Sequence, residues 1–204
     1  MTTRLMMVNG SLRGSAGNTH ALLELARGML SESVSSECVV LADYRGSVEE
    51  LANRLAESSA LLFASGVYWS SWGSPLQRFL EVMTGYELTP CFLGKPAGVL
   101  LSADSLAGAE VAHRLQGVLT HLGCWSPPLS SVVLTRVASE LRGRAGFEDV
   151  FQTDDIRVAL ENLCTAAEAS PPTWSTWGIA RTPQVTGPFP QGGPLLAGLP
   201  RFVK

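Results

Sequence analysis

Short apolar runs alternate along the chain with longer segments whose apolar residues recur every three or four positions. That pattern predicts a parallel sheet with helices on both faces. Residues 4–9 read as a first strand ending in Asn9-Gly10, and residues 18–31 as a helix carrying Leu22, Leu23, Leu25, Ala26 and Met29 at helical spacing. A second strand is expected over 37–42 and a second helix over 48–58. The run 60–65, A-L-L-F-A-S, is the kind of continuous apolar strand that burial on both faces demands. A short helix over 74–84 follows, with Pro75 in its first turn, where a missing N–H costs nothing. Residues 96–102 and 131–135 supply the fourth and fifth strands. Between them a helix over 106–122 ends at Gly123 as its C-terminal cap. A closing helix over 154–168 turns Ile156, Ala159, Leu160 and Leu163 inward, its start favoured by Thr153 and the two aspartates that follow.

After about Ser170 the composition changes. Seven of the 12 prolines and five glycines fall in the last 34 residues, so regular structure is expected to end there. The expected organisation is one domain over 1–169 and a non-regular extension over 170–204. That extension also holds Trp174, Trp177, Ile179, Phe189, Leu195, Leu196, Leu199 and Phe202, too apolar a set for a solvated linker. It is expected to pack in extended form on the domain or on a second subunit.

Composition narrows the function classes. At 204 residues, 46% hydrophobic and 16% charged, the chain is core-driven, not disordered. A net charge of -3 without a basic block argues against nucleic acid as a partner. The opening apolar run is too short for a secretory signal, and nothing approaches a membrane span, so a cytoplasmic protein with no membrane partner is expected. Cys38, Cys91, Cys124 and Cys164 are widely separated and read as reduced thiols. His113 and His121 lie eight apart on one helix, without the four-residue spacing of zinc helices, and no metal is expected. No nucleophile elbow follows a strand, which removes hydrolase readings.

Three loops carry candidate chemistry, and all three would meet at the carboxyl edge of the sheet. The first, N-G-S-L-R-G-S-A-G-N-T-H, enters the first helix, where free N–H groups and the helix dipole favour an anion. Ser11, Ser15, Asn18 and Thr19 add hydroxyl or amide donors and Arg13 a charge-assisted one. It lacks both G-K-[ST] and G-x-G-x-x-G, so nucleotide hydrolysis and a dinucleotide site are disfavoured. Its alternative is an ordinary polar loop with a serine cap. The second, S-G-V-Y-W-S-S-W-G-S-P, offers an aromatic wall for a flat ring, or else a surface turn that caps the sheet or meets a second subunit. The third, S-A-D-S-L-A-G-A, begins at Ser102.

Together with A-G-A-E-V-A-H-R-L-Q-G-V-L-T-H-L-G in the fourth helix, these loops resemble the NADPH-dependent FMN reductase family over about residues 4–169. The resemblance implies an α/β, flavodoxin-like three-layer sandwich with a five-stranded parallel sheet, and FMN as cofactor. It would place the FMN phosphate on Ser11, Arg13, Ser15, Asn18 and Thr19, and the flavin ring against Val67, Tyr68, Trp69 and Ser70. Ser102, Asp104 and Ser105 would approach the pyrimidine edge. Two features depart from the family: Ala103 and Asp104 stand where paired glycines often occur, and the tail has no counterpart. Asp104 would either accept from the flavin N3–H or cap the fourth helix.

The activity implied is hydride transfer from NAD(P)H to bound FMN, with electrons passed on to a small-molecule acceptor such as a quinone, an azo or nitro compound, or free flavin. The cofactor carries that chemistry, so no side chain need stand out as acid or base. The alternative is a flavodoxin-like electron carrier or FMN-binding module without nicotinamide turnover, and a third class keeps the fold as an interaction domain. Carriers tend to be strongly acidic, and -3 favours the enzyme. The family and the apolar tail imply a homodimer.

Overall fold

The computed structural model describes residues 3–105, 108–141, 144, 150–169, 173–177 and 182–191. Five strands form one sheet: β1 (Thr3–Asn9), β2 (Val34–Val40), β3 (Ala60–Gly66), β4 (Ala97–Ala103) and β5 (Ser131–Thr135). Their order is β2-β1-β3-β4-β5 and every pairing is parallel. Side chains alternate between faces, as a period of two requires. Leu5, Met7, Leu62, Leu100 and Val132 face helices α1 (Asn18–Gly28) and α6 (Thr153–Glu168), meeting Leu23, Ile156, Leu160 and Leu163. Met6, Val8, Phe63, Val99 and Leu101 face α2 (Val48–Glu57), α3 (Ser74–Met83) and α4 (Ala109–Leu122), meeting Leu51, Leu55, Phe79 and Leu115. The result is the flavodoxin-like three-layer sandwich. From β1, second in the order, the chain goes to β2 at the edge and then crosses to β3 on the other side of β1, so the connections leaving β1 and β3 run to opposite faces and a crevice opens at their carboxyl ends.

Boundaries differ from expectation where tertiary pairing outweighs local pattern. β2 starts three residues early because its register runs from Thr3↔Val34 to Asn9↔Val40, and an edge strand tolerates the polar pair Ser35-Ser36. α1 stops at Gly28, short of residue 31. A six-residue helix, α5 (Arg136–Leu141), was not expected; it begins where the Ala138 N–H donates to Thr135 Oγ1 at 3.1 Å. α6 is capped by Gln152, not Thr153. The Gln152 side chain accepts from the Asp155 N–H while the Asp155 carboxylate accepts from the Gln152 N–H at 2.6 Å. α4 begins at Ala109; Leu106 and Ala107 lie outside the described residues. It ends as expected, at Gly123 with φ 117.

Residues 182–191 lie in extended form across the start of α2. Val48 N–H donates to the Gly187 carbonyl at 2.8 Å, Phe189 N–H to Gly46 at 3.0 Å, and Gly187 N–H to the Glu49 carboxylate at 2.9 Å. Phe189 is buried and meets Tyr44 edge-on, with ring centroids 5.8 Å apart. Trp174 and Trp177, by contrast, are 49% and 70% exposed. Ile179, Leu195, Leu196, Leu199 and Phe202 lie outside the described residues. Among the described residues no helix is long and apolar enough to cross a membrane.

Candidate functional site

A cavity of about 550 Å³ opens at the carboxyl ends of β1, β3, β4 and β5. Its first wall is the loop from β1 into α1. Asn9, fully buried at the strand end, shapes that loop: its Oδ1 accepts from the Ser11 N–H at 3.0 Å and its Nδ2 donates to the Gly14 carbonyl at 3.4 Å. Gly14 has φ 52, where a side chain is strained, and a Cβ there would come within 2.6 Å of the Asp43 carboxylate, so the turn favours glycine. Asp43 also accepts from the Ser15 N–H at 3.0 Å, and that bond holds its carboxyl below the usual range.

The loop leaves donors unused. Ser11 is buried against the cavity, and its Oγ has no hydrogen-bond partner among the described residues. Gly17 is the N-cap of α1 and supplies no side-chain cap, so the N–H groups of Asn18 and Thr19 at the cavity face have no acceptor among the described residues. Arg13 lines the same wall and makes no ion pair among the described residues. A buried hydroxyl beside an uncapped helix start and a guanidinium is a set of donors whose chemistry suits an anion. Thr19 Oγ1 lies 3.0 Å from Ser102 Oγ and so ties this wall to the end of β4.

The second wall is Gly66, Val67 and Tyr68, just beyond β3. The Tyr68 ring lies on Gly66, where a Cβ would sit 2.9 Å from it. Tyr68 and Ser71 exchange both backbone hydrogen bonds, at 2.7 and 2.9 Å, which closes a two-residue turn at Trp69-Ser70. Both turn residues have positive φ, 48 and 57, and the Trp69 side chain is fully exposed.

The third wall joins Ser102, Ala103 and Asp104 to Thr135, Arg136 and Ser139, and the segment before α6 adds Phe151 and Gln152. Asp104 accepts from Arg136 Nε at 3.3 Å, and Arg136 also pairs with Glu140 at 2.7 Å. Asp104 does not cap α4: the N-cap position belongs to Gly108, which has no side-chain cap.

Of the residues singled out in the sequence, Ser11, Arg13, Asn18, Thr19, Val67, Tyr68, Ser102 and Asp104 line the cavity together. Ser15, Trp69, Ser70 and Ser105 lie outside it. Ser15 sends its N–H to Asp43, and Ser70 lends its carbonyl to Arg114. The sequence reading missed Thr135 at the end of β5, Arg136 and Ser139 in α5, and Phe151 and Gln152 in the chain before α6. The only signal for them was Thr135 standing as a cap residue at a strand end.

A family model described as NADPH-dependent FMN reductase matches residues 3–138. No match is found among curated proteins. Among solved structures, RosB with a bound 8-demethyl-8-formylriboflavin-5′-phosphate intermediate has a TM-score of 0.66 at 17% identity, over 81% of this chain and 79% of RosB. The apo form of the NADH:FMN oxidoreductase EMOB also scores 0.66 at 17% identity, over 83% of this chain and 92% of EMOB. FerB, an NAD(P)H:(acceptor) oxidoreductase from Paracoccus denitrificans, scores 0.58 at 17% identity, over 81% of this chain and 97% of FerB. At these identities the likeness is one of fold.

Proposed function

The chain belongs to the NADPH-dependent FMN reductase family, and from that premise we propose that FMN lies in the cavity between the β1, β3 and β4 loops. When bound, FMN supplies the redox chemistry, taking hydride from NAD(P)H and passing electrons on. The observation that carries this placement is the buried Ser11 Oγ, without a partner among the described residues, beside the start of α1, which has no side-chain cap. A phosphate there would accept from Ser11, from the Asn18 and Thr19 N–H groups and from Arg13, with the α1 dipole favouring its charge.

Val67 and Tyr68 would take the flavin ring on one side, the bare Cα of Gly66 leaving Tyr68 room to lie flat. Ser102 and Asp104 would stand at its pyrimidine edge. The chain's own work is therefore binding, orientation and electrostatics, and no described side chain is needed as an acid or base. The acceptor is read as a small molecule: a quinone, an azo or nitro compound, or free flavin. The same reading extends to a homodimer in the cytoplasm, the latter supported by four free thiols.

The test has two steps. FMN and riboflavin are titrated against the purified chain, and the FMN complex then receives NADPH or NADH without oxygen, followed by a quinone. The reading expects FMN to bind much more tightly than riboflavin, bleaching within seconds and colour restored by the quinone. Equal affinity for FMN and riboflavin would remove the phosphate site. Bleaching by dithionite alone would make the protein a carrier.

A further inference from the structure

We propose that Arg114, on α4, is a positioning residue for the aromatic wall of the cavity, acting by holding a turn that its own two residues disfavour. The ligand in this inference rests on the FMN reading above; the mechanism rests on the turn itself. Trp69 and Ser70 occupy the two central positions with φ 48 and 57, the type I′ pattern, between the paired hydrogen bonds of Tyr68 and Ser71. Turns of this type select Asn-Gly, because a side chain at positive φ crowds its own backbone. No packing offsets that cost here, since the Trp69 indole is fully exposed.

Arg114 supplies what the turn residues do not. Its guanidinium donates to the Ser70 carbonyl and lies 5.5 Å from the centroid of the Trp72 ring. The Glu110 carboxylate, one helical turn earlier, steers it from 3.8 Å. Trp72 is fixed in turn by its indole N–H, which donates to Gln77 Oε1 at 2.9 Å. The turn is thus clamped from α4 on its carbonyl side and from α3 through Trp72. Its inner end is Tyr68, whose ring rests on Gly66 and faces the cavity. Arg114 itself is not among the residues that line the cavity. It reaches the ligand through Ser70 and Tyr68, by fixing where the ring of Tyr68 sits.

A double-mutant cycle in the full chain tests this. The readouts are the FMN Kd, from quenching of flavin fluorescence, and amide exchange at Tyr68 and Ser71 in the ligand-free protein. Arg114→Ala is expected to raise the Kd about tenfold and to speed exchange at both amides, within the range of coupling between neighbouring groups. Trp69→Asn with Ser70→Gly gives the turn residues that hold it unaided. In that background the same Arg114→Ala should change the Kd less than about twofold and leave both amides protected. Equal losses in the two backgrounds would mean that Arg114 acts by another route, and no loss in either would mean that it does not act; each overturns the proposal. Arg114→Lys, which keeps the charge without the planar stack, replaces the Ala variant if that fails to fold and should give a smaller loss of the same pattern. If the parent chain itself binds no FMN, the ligand reading has failed, and amide exchange alone decides the positioning role.

Discussion

Arg136 donates from Nε to the Asp104 carboxylate across 3.3 Å, so the end of β4 and the start of α5 meet as an ion pair on the cavity wall. A lone carboxylate beside a flavin would oppose the charge that reduction adds to the ring. Here a cation sits against it, and both side chains are well exposed to solvent, which screens each of them. Asp104→Asn should raise the reduction potential of bound FMN and Arg136→Gln should lower it, each by no more than about 30 mV. The double variant should return close to the parent. Spectroelectrochemical titration measures all four proteins, and shifts of the same sign in both single variants would show that the pair does not face the ring.

Ser11 has a buried hydroxyl without a partner among the described residues, an arrangement that costs about 1–3 kcal/mol. Ser11→Ala should therefore leave the ligand-free protein as stable or raise its Tm by a few degrees, while weakening FMN about tenfold. Riboflavin, with no phosphate for the hydroxyl to reach, should bind the variant and the parent alike. Thermal melts with parallel FMN and riboflavin titrations decide it. A drop in Tm without a change in FMN affinity would make Ser11 a structural residue.

Asp43 shapes the phosphate loop from outside, by accepting the Ser15 N–H and filling the space beside Gly14. That bond lowers its folded pKa, so its contribution to stability is present above the ordinary carboxylate value and is lost as pH falls through the lowered one. Asp43→Ala should flatten the acid limb of stability against pH and raise the FMN Kd roughly fivefold by loosening the loop. Tighter FMN binding in the variant would reverse the interpretation, because it would mean that Asp43 competes with phosphate for the Ser15 N–H.

The parts of this molecule legible in its sequence are those that local chemistry decides. Residues 60–65 were a strand by apolarity alone, and β3 is buried along its whole length. Pro75 marked the start of α3, and Gly123 the end of α4. What escaped depends on distance in the chain or on single torsions. α5 is too short for a helical period to register, and with it went Arg136 and Ser139. The Ser15 N–H is diverted by a residue 28 positions away. Trp69 read as part of an aromatic wall because its neighbours are aromatic, but two positive φ values carry its ring out into solvent.

Phe189 and Glu49 tie residues 182–191 to the domain. Phe189 is buried against Tyr44 in the core cluster on the α2 face, and Glu49 in the first turn of α2 holds the Gly187 N–H with both oxygens, at 2.9 and 3.2 Å. Phe189→Ala in the full chain removes a buried aromatic, which costs about 3–5 kcal/mol where the site cannot collapse. A segment of extended chain at the surface relaxes more readily than a core, so the lower end applies, and Tm should fall by about 6–12 °C. FMN affinity should hold, because the cavity lies at the carboxyl ends of the strands and none of its lining residues belongs to 182–191. The attachment should also weaken in acid. Gly187 N–H holds the Glu49 pKa below its ordinary value, so the contact stabilises the fold above the ordinary glutamate pKa and fades as pH falls through the lowered one. Glu49→Gln should remove that acid-dependent part and leave the rest of the tail's contribution in place. Thermal melts of both variants across acid pH, with and without FMN, measure the whole set. An unchanged Tm in Phe189→Ala would mean that this segment contributes nothing to the stability of the domain it lies on.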